Sequence, residues 1–107
     1  MKQKTITSTR LLRALDRLRT IDPEFTVTAA RALAYVANNS PCIQADMARE
    51  LKIEQSNASR IVDRLGTKTR GQKLGYGLIT KTNDNTDARN RILTITQKGL
   101  DVLTVYY

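Results

Sequence analysis

The feature that most constrains this chain is a pair of helix-patterned segments with three residues between them. Gln44 to Leu51 puts Met47, Ala48 and Leu51 on one face, and Gln55 to Leu65 does the same with Ala58, Ile61, Val62 and Leu65. Both follow the three- and four-residue spacing of an amphipathic helix. Lys52, Ile53 and Glu54 are the whole connection. A link that short turns the second helix sharply on the first, so the apolar faces share one core while the polar side of the second stays outside. That outer side holds Ser56, Asn57, Ser59, Arg60, Asp63 and Arg64.

The rest of the chain supplies elements to pack around this pair. Residues 1–7 are polar and basic and read as a tail, after which Ser8 caps a helix carrying a stripe of Leu11, Leu12, Leu15 and Leu18. Its other face holds Arg10, Arg13, Arg17 and Arg19. Those arginines suit a solvated face, a DNA-backbone contact or the flank of a dimer interface. Asp22-Pro23 breaks this helix. Thr26 or Thr28 caps the next one, which runs to about Ala37 with Ala30, Leu33, Ala34 and Ala37 on one face and Val36 beside them, and Asn38 to Pro41 end it.

Beyond Leu65 the pattern changes. Gly66, Gly71, Gly75 and Gly77 punctuate Lys68, Arg70 and Lys73, so residues 66–77 form a basic loop. Leu78 to Thr82 and Arg91 to Ile95 are rich in β-branched residues and flank a polar stretch from Asn83 to Asn90, which predicts a β-hairpin. Thr96 then caps a terminal helix through about Val105, with Leu100 and Leu103 turned inward. The expected fold is mainly α with a small β-hairpin, and 107 residues suit a single domain over 1–107.

Charge narrows the partners. The formal net charge is +8, and from Gln55 to Lys98 nine basic residues face three acidic ones. Such a surface gains free energy from counterion release on a polyanion, although a merely solvated basic surface has the same composition. There is no histidine, a single cysteine and no glycine-rich phosphate loop. Catalysis, a metal site and a cofactor are therefore not expected. Cys42 cannot form an intramolecular disulfide, which fits a reducing compartment and either an inert or a redox-sensing thiol. No apolar run approaches the roughly 18 to 20 residues of a membrane span, and no signal-peptide pattern follows the first lysines, so a cytoplasmic protein without membrane contact is expected.

Double-stranded DNA fits the exposed face of the second helix. A helix fills the major groove, where Asn57 can address adenine, Arg60 guanine, and Ser56 or Ser59 bases or phosphates. Arg64, one turn on, suits a backbone phosphate. The hairpin brings Arg89 and Arg91 toward the adjacent minor groove or backbone, where arginine is favoured. Asp87 suits either a brace for Arg89 or an exposed turn. A protein-contact module, or a nucleic-acid binder without base preference serving a mobile element, is the competing reading. Exposed aromatic residues would favour it, and none of Phe25, Tyr35, Tyr76, Tyr106 and Tyr107 lies on that face.

From about Thr28 to Leu103 the sequence resembles the MarR family of winged helix-turn-helix regulators. The resemblance is carried by Gln44 to Leu51, Ile53, Ser56 to Leu65, Gly77-Leu78-Ile79, Asp87-Ala88-Arg89-Asn90-Arg91 and Ile95-Thr96-Gln97-Lys98-Gly99. It implies a helix-turn-helix over 44–65, a wing over 78–95, a homodimer on pseudo-palindromic operators, and regulation of transcription, with repression as the expected outcome. Ser56, Asn57, Ser59, Arg60 and Arg64 are then recognition-helix contacts and Arg89 the wing arginine. Three departures stand out: an insertion over 66–77, whose Lys68, Arg70 and Lys73 are candidate DNA contacts unless it merely lengthens a surface loop, Ile43 where the family often has a capping threonine, and Lys52 where it often has glycine. The family's ligand cleft lies by its long terminal helices, and this sequence ends shortly into the last one, which weighs against a small-molecule effector without deciding it.

Overall fold

The computed structural model describes residues 5–66, 75–87 and 90–104. Five helices and a small antiparallel sheet follow in the order α1 (Ile6–Ile21), α2 (Val27–Asn39), β1 (Cys42–Ile43), α3 (Gln44–Leu51), α4 (Gln55–Leu65), β2 (Ile79–Asn83), β3 (Arg91–Ile95) and α5 (Gln97–Leu103). This is the winged helix-turn-helix that the periodicity and the resemblance predict.

The helix termini show where local chemistry acts. Thr5, rather than Ser8, caps α1: its hydroxyl accepts from the Ser8 amide at 2.9 Å while the Ser8 hydroxyl accepts from the Thr5 amide at 3.1 Å. Each side chain satisfies a backbone donor the helix leaves unpaired, so the helix starts inside the expected tail. Thr26 caps α2 by accepting from Ala29 at 3.0 Å, and α2 runs on to Asn39, two residues past its expected end. Ile43 stands at the cap position before α3 and makes no side-chain capping bond, as the missing threonine implies. It ends at Lys52 in the left-handed conformation (φ 59°, ψ 47°). The Ile53 amide reaches the Ala48 carbonyl at 2.8 Å and the Lys52 amide that of Arg49 at 3.3 Å. These are the paired bonds of a Schellman ending, a position that favours glycine.

The sheet has the order β1-β3-β2. Ile79 to Asn83 pair with Ile95 to Arg91, the expected hairpin, with β2 beginning one residue later than Leu78. On the other edge Cys42 and Ile43 pair with Leu93 and Ile92, a third strand absent from the sequence reading. α2, α3 and α4 close over its inner face, and Leu33, Val36, Met47, Val62, Leu65, Leu78, Ile79 and Leu93 are the largest fully buried side chains.

Two expectations about packing fail. Leu100 is 40% exposed, because Gly99 rather than Leu100 takes the inward place against the carbonyl of Leu78. Asp63, expected outside, is half-buried and pairs with Lys81 of β2 at 2.8 Å. Helix α5 ends at Leu103, followed by Thr104; Val105, its expected last residue, lies outside the described residues. Of the leucine stripe on α1 only Leu18 is buried, while Leu11 and Leu12 stand 57% and 60% exposed. α1 is nonetheless anchored, since Arg17 donates to the carbonyls of Asp101 and Thr104 at the end of α5.

Candidate nucleic-acid interface

α4 is held by its apolar side. Ala58, Val62 and Leu65 are buried and Ile61 half-buried, so the helix cannot rotate without exposing them. Steps of three and four residues then place Ser56, Asn57, Arg60 and Arg64 within an arc of about 100° on the opposite side. All four are exposed, and Ser59 at the margin is half-buried. The sequence-predicted contacts of the recognition helix thus share one outward face.

A hollow of about 480 Å³ adjoins this face, lined by Thr28, Arg31, Lys52, Ile53, Glu54, Ser56, Asn57 and Arg60. Three cations and the amino-terminal end of α4 face one carboxylate there, and Glu54 makes no side-chain capping bond to that end. Unpaired amide donors and the helix dipole at such an end favour an anion. Arg31 is steered toward the hollow by a 3.2 Å bond from its guanidinium to the Leu51 carbonyl, the last of α3. Arg31 and Lys52 were missed by sequence reasoning: Arg31 lies on α2 and reaches the turn only through the fold, and Lys52 reads locally as a poor glycine substitute.

The wing is fixed to α4 by the Asp63–Lys81 pair and shaped at its tip by Asp84. The Asp84 carboxylate accepts from the Thr86 amide at 2.9 Å, the Thr86 hydroxyl at 2.8 Å and the Asn90 side-chain amide at 3.4 Å. These donors, Thr86 first, hold its carboxyl below the usual range. Arg91 is half-buried at the start of β3, opposite Asn83. At the root of the wing the chain closes a neck: Tyr76, Gly77 and Leu78 donate their amides to the carbonyls of Arg64, Gly66 and Leu65 at 2.8 to 2.9 Å. Gly77 has φ +71°, which a β-carbon disfavours.

Beside the neck, Asp22 accepts from the Tyr76 hydroxyl and lies 3.6 Å from the Arg64 guanidinium. The Tyr76 hydroxyl foremost, then the Glu24 amide and Arg64, hold the Asp22 carboxyl below its usual range. The Tyr76 ring stacks on Phe25 at 5.5 Å.

A MarR family model matches residues 24–68, from the second helix through the whole helix-turn-helix. Over this segment the chain is similar to the MarR family. Solved structures extend the likeness to the other elements. The S. aureus MepR–DNA complex is 20% identical with a TM-score of 0.68, the match covering 92% of this chain and 73% of that one. A MarR protein from Peptoclostridium difficile is 19% identical with a TM-score of 0.66, covering 96% and 68%. RV1404 from Mycobacterium tuberculosis is 28% identical with a TM-score of 0.65, covering 92% and 63%. The chain thus spans roughly two thirds of the length of these proteins. No curated protein matches it by sequence.

Against the MarR-type frame, the predicted contacts divide cleanly. Ser56, Asn57, Ser59, Arg60 and Arg64 are brought together, and Arg91 stands at the base of the wing tip. Lys68, Arg70, Lys73 and Arg89 lie outside the described residues. Among the described residues no three histidine, cysteine, aspartate or glutamate side chains converge on a metal site, and no helix is long and apolar enough to cross a membrane.

Proposed function

We propose that the chain is a sequence-specific double-stranded DNA-binding regulator of transcription, a repressor that acts in the cytoplasm as a homodimer and not as an enzyme. The observation that carries this reading is the exposed Ser56–Asn57–Arg60–Arg64 face on a helix whose other side is locked into the core. The S. aureus structure that shares the fold is a complex with DNA, which supports the same use of the fold here.

Residue roles follow from groove chemistry. Arg60 donates to guanine O6 and N7 and Asn57 pairs with adenine, while Ser56 and Ser59 bond base edges or phosphates. Arg31 and Lys52 seat a backbone phosphate beside the start of α4, and Arg64 takes another at its far end. Lys68, Arg70 and Lys73, which follow α4 in the sequence, add contacts to the DNA backbone. Arg89 enters the minor groove and Arg91 supports it. The exposed leucines of α1 provide an apolar surface for a second copy, an isologous contact that sets two recognition helices on one face of a duplex.

In vitro selection of bound duplexes, followed by titration of Arg60→Ala on the selected site and on a scrambled one, tests this reading. The substitution is expected to cost about 1 to 3 kcal/mol on the selected site and to relax preference at one base pair. A palindromic selected site carries the dimer with it. Equal losses on both duplexes, or selection without a preferred sequence, refute the base-reading role.

A further inference from the structure

The acid that faces Arg64 is part of a built arrangement. Asp22 sits in the connection between α1 and α2, where its Oδ1 accepts from the Glu24 amide at 2.9 Å and its Oδ2 from the Tyr76 hydroxyl. Tyr76 in turn donates its amide to the Arg64 carbonyl at 2.9 Å, so one residue grips both the acid and the backbone of the arginine. The carboxylate is therefore positioned before Arg64 arrives. The arginine contact itself is loose: its N···O distance is 3.6 Å, and the Arg64 side chain is 62% exposed against 22% for Asp22. The guanidinium also reaches the Tyr76 hydroxyl, but with most of its surface in solvent it can leave while the acid, held by the Glu24 amide and Tyr76, stays. A phosphate oxygen offers that guanidinium shorter, two-pronged bonds.

We propose that Asp22 is an intramolecular rival of the duplex for Arg64: its carboxylate pairs with the guanidinium in the free chain, and the end of α4 takes a phosphate only by exchanging that partner. The proposal rests on the DNA-binding reading above. It makes Asp22 a positioning residue that sets affinity and salt dependence without touching DNA. Arg64 then contributes less than a full charge to binding, because part of its gain on the phosphate replaces a contact already made.

Fluorescence anisotropy of a labelled duplex, measured with the full chain across a salt series, reads the exchange. Asp22→Asn and Asp22→Ser keep an acceptor for the Glu24 amide and remove the charge; each is expected to steepen the log–log salt slope by up to about one unit and to tighten binding several-fold at low salt. Asp22→Glu, which retains the charge, is expected to keep the wild-type slope. In an Arg64→Gln background, Asp22→Asn is expected to change nothing. A folded Asp22→Asn chain with the wild-type slope overturns the proposal, as does a steepening that survives Arg64→Gln and so reflects only long-range charge. If the neutral variants do not fold, carbon-detected NMR of the unsubstituted chain decides: the Asp22 carboxyl signal must shift in step with the Arg64 side chain on adding duplex, and a stationary Asp22 signal overturns the exchange. A wild-type chain that binds no duplex at any salt overturns the DNA-binding reading itself, an outcome distinct from unaltered variants of a binding protein.

Discussion

Replacing Lys52 by glycine separates stability from binding, because the same residue carries a backbone cost and a candidate phosphate contact. Lys52 closes α3 at φ 59° and ψ 47°. A left-handed residue with a β-carbon costs about 1 to 2 kcal/mol. Glycine removes that cost but returns about 0.4 to 1 kcal/mol of chain entropy to the unfolded state, leaving a net stabilisation of about 0.5 to 1 kcal/mol. At about 4 to 8 °C per kcal/mol for a domain of this size, Lys52→Gly is expected to melt about 2 to 8 °C higher. Lys52→Ala is the control: it removes the same charge and retains the β-carbon, so its melting temperature should stay at or slightly below that of the wild type.

Binding is expected to move the other way in both variants. Lys52 lines the hollow beside Arg31 and Arg60, and loss of one phosphate contact makes the salt slope shallower by about 0.9 unit. Over a fourfold rise in salt the variants should then lose roughly 3.5-fold less affinity than the wild type, from a weaker starting point. Calorimetric melts and salt titrations on one duplex measure both quantities. If Lys52→Gly is no more stable than Lys52→Ala, the strain argument is refuted. If the slope is unchanged in both, Lys52 does not face a phosphate.

Gly99→Ala should destabilise the fold by about 1 to 3 kcal/mol, since the added Cβ would lie 2.3 Å from the Leu78 carbonyl and the wing root must shift to admit it; an unchanged denaturant midpoint would show that α5 is not seated there. Asp84 is predicted to titrate below its ordinary 3.8, because the folded tip supplies donors to its carboxylate. A depressed folded value means that its contribution is present above the unfolded value and lost as pH falls through the folded one, so the midpoint of the Thr86 amide shift should lie below pH 3.8, and a midpoint at or above it would contradict the tip geometry.

What was legible in the sequence is what local periodicity encodes, and the misses share a physical cause. α3 and α4 are read to the residue because each carries an apolar stripe, the three residues between the stripes leave no other place for the turn, and Gly66 ends the second. The face of α4 follows directly, since the side chains it must bury decide which ones it can offer. β1 was invisible because two residues show no period, and Cys42 and Ile43 form a strand only by pairing with Leu93 and Ile92. Thr5 was passed over because its capping partner is Ser8 and not the usual glutamate or glutamine. Asp22, Arg31 and Tyr76 lie far in sequence from the groups they touch, and no spacing rule links the break after α1 to the end of α4. The reading of α4 as an isolated amphipathic helix therefore treats Arg64 as a solvent-facing cation available to DNA. The folded chain gives that cation an acid of its own, and it is this long-range pairing, rather than the helix pattern, that determines how much charge the end of the recognition helix has left for a phosphate.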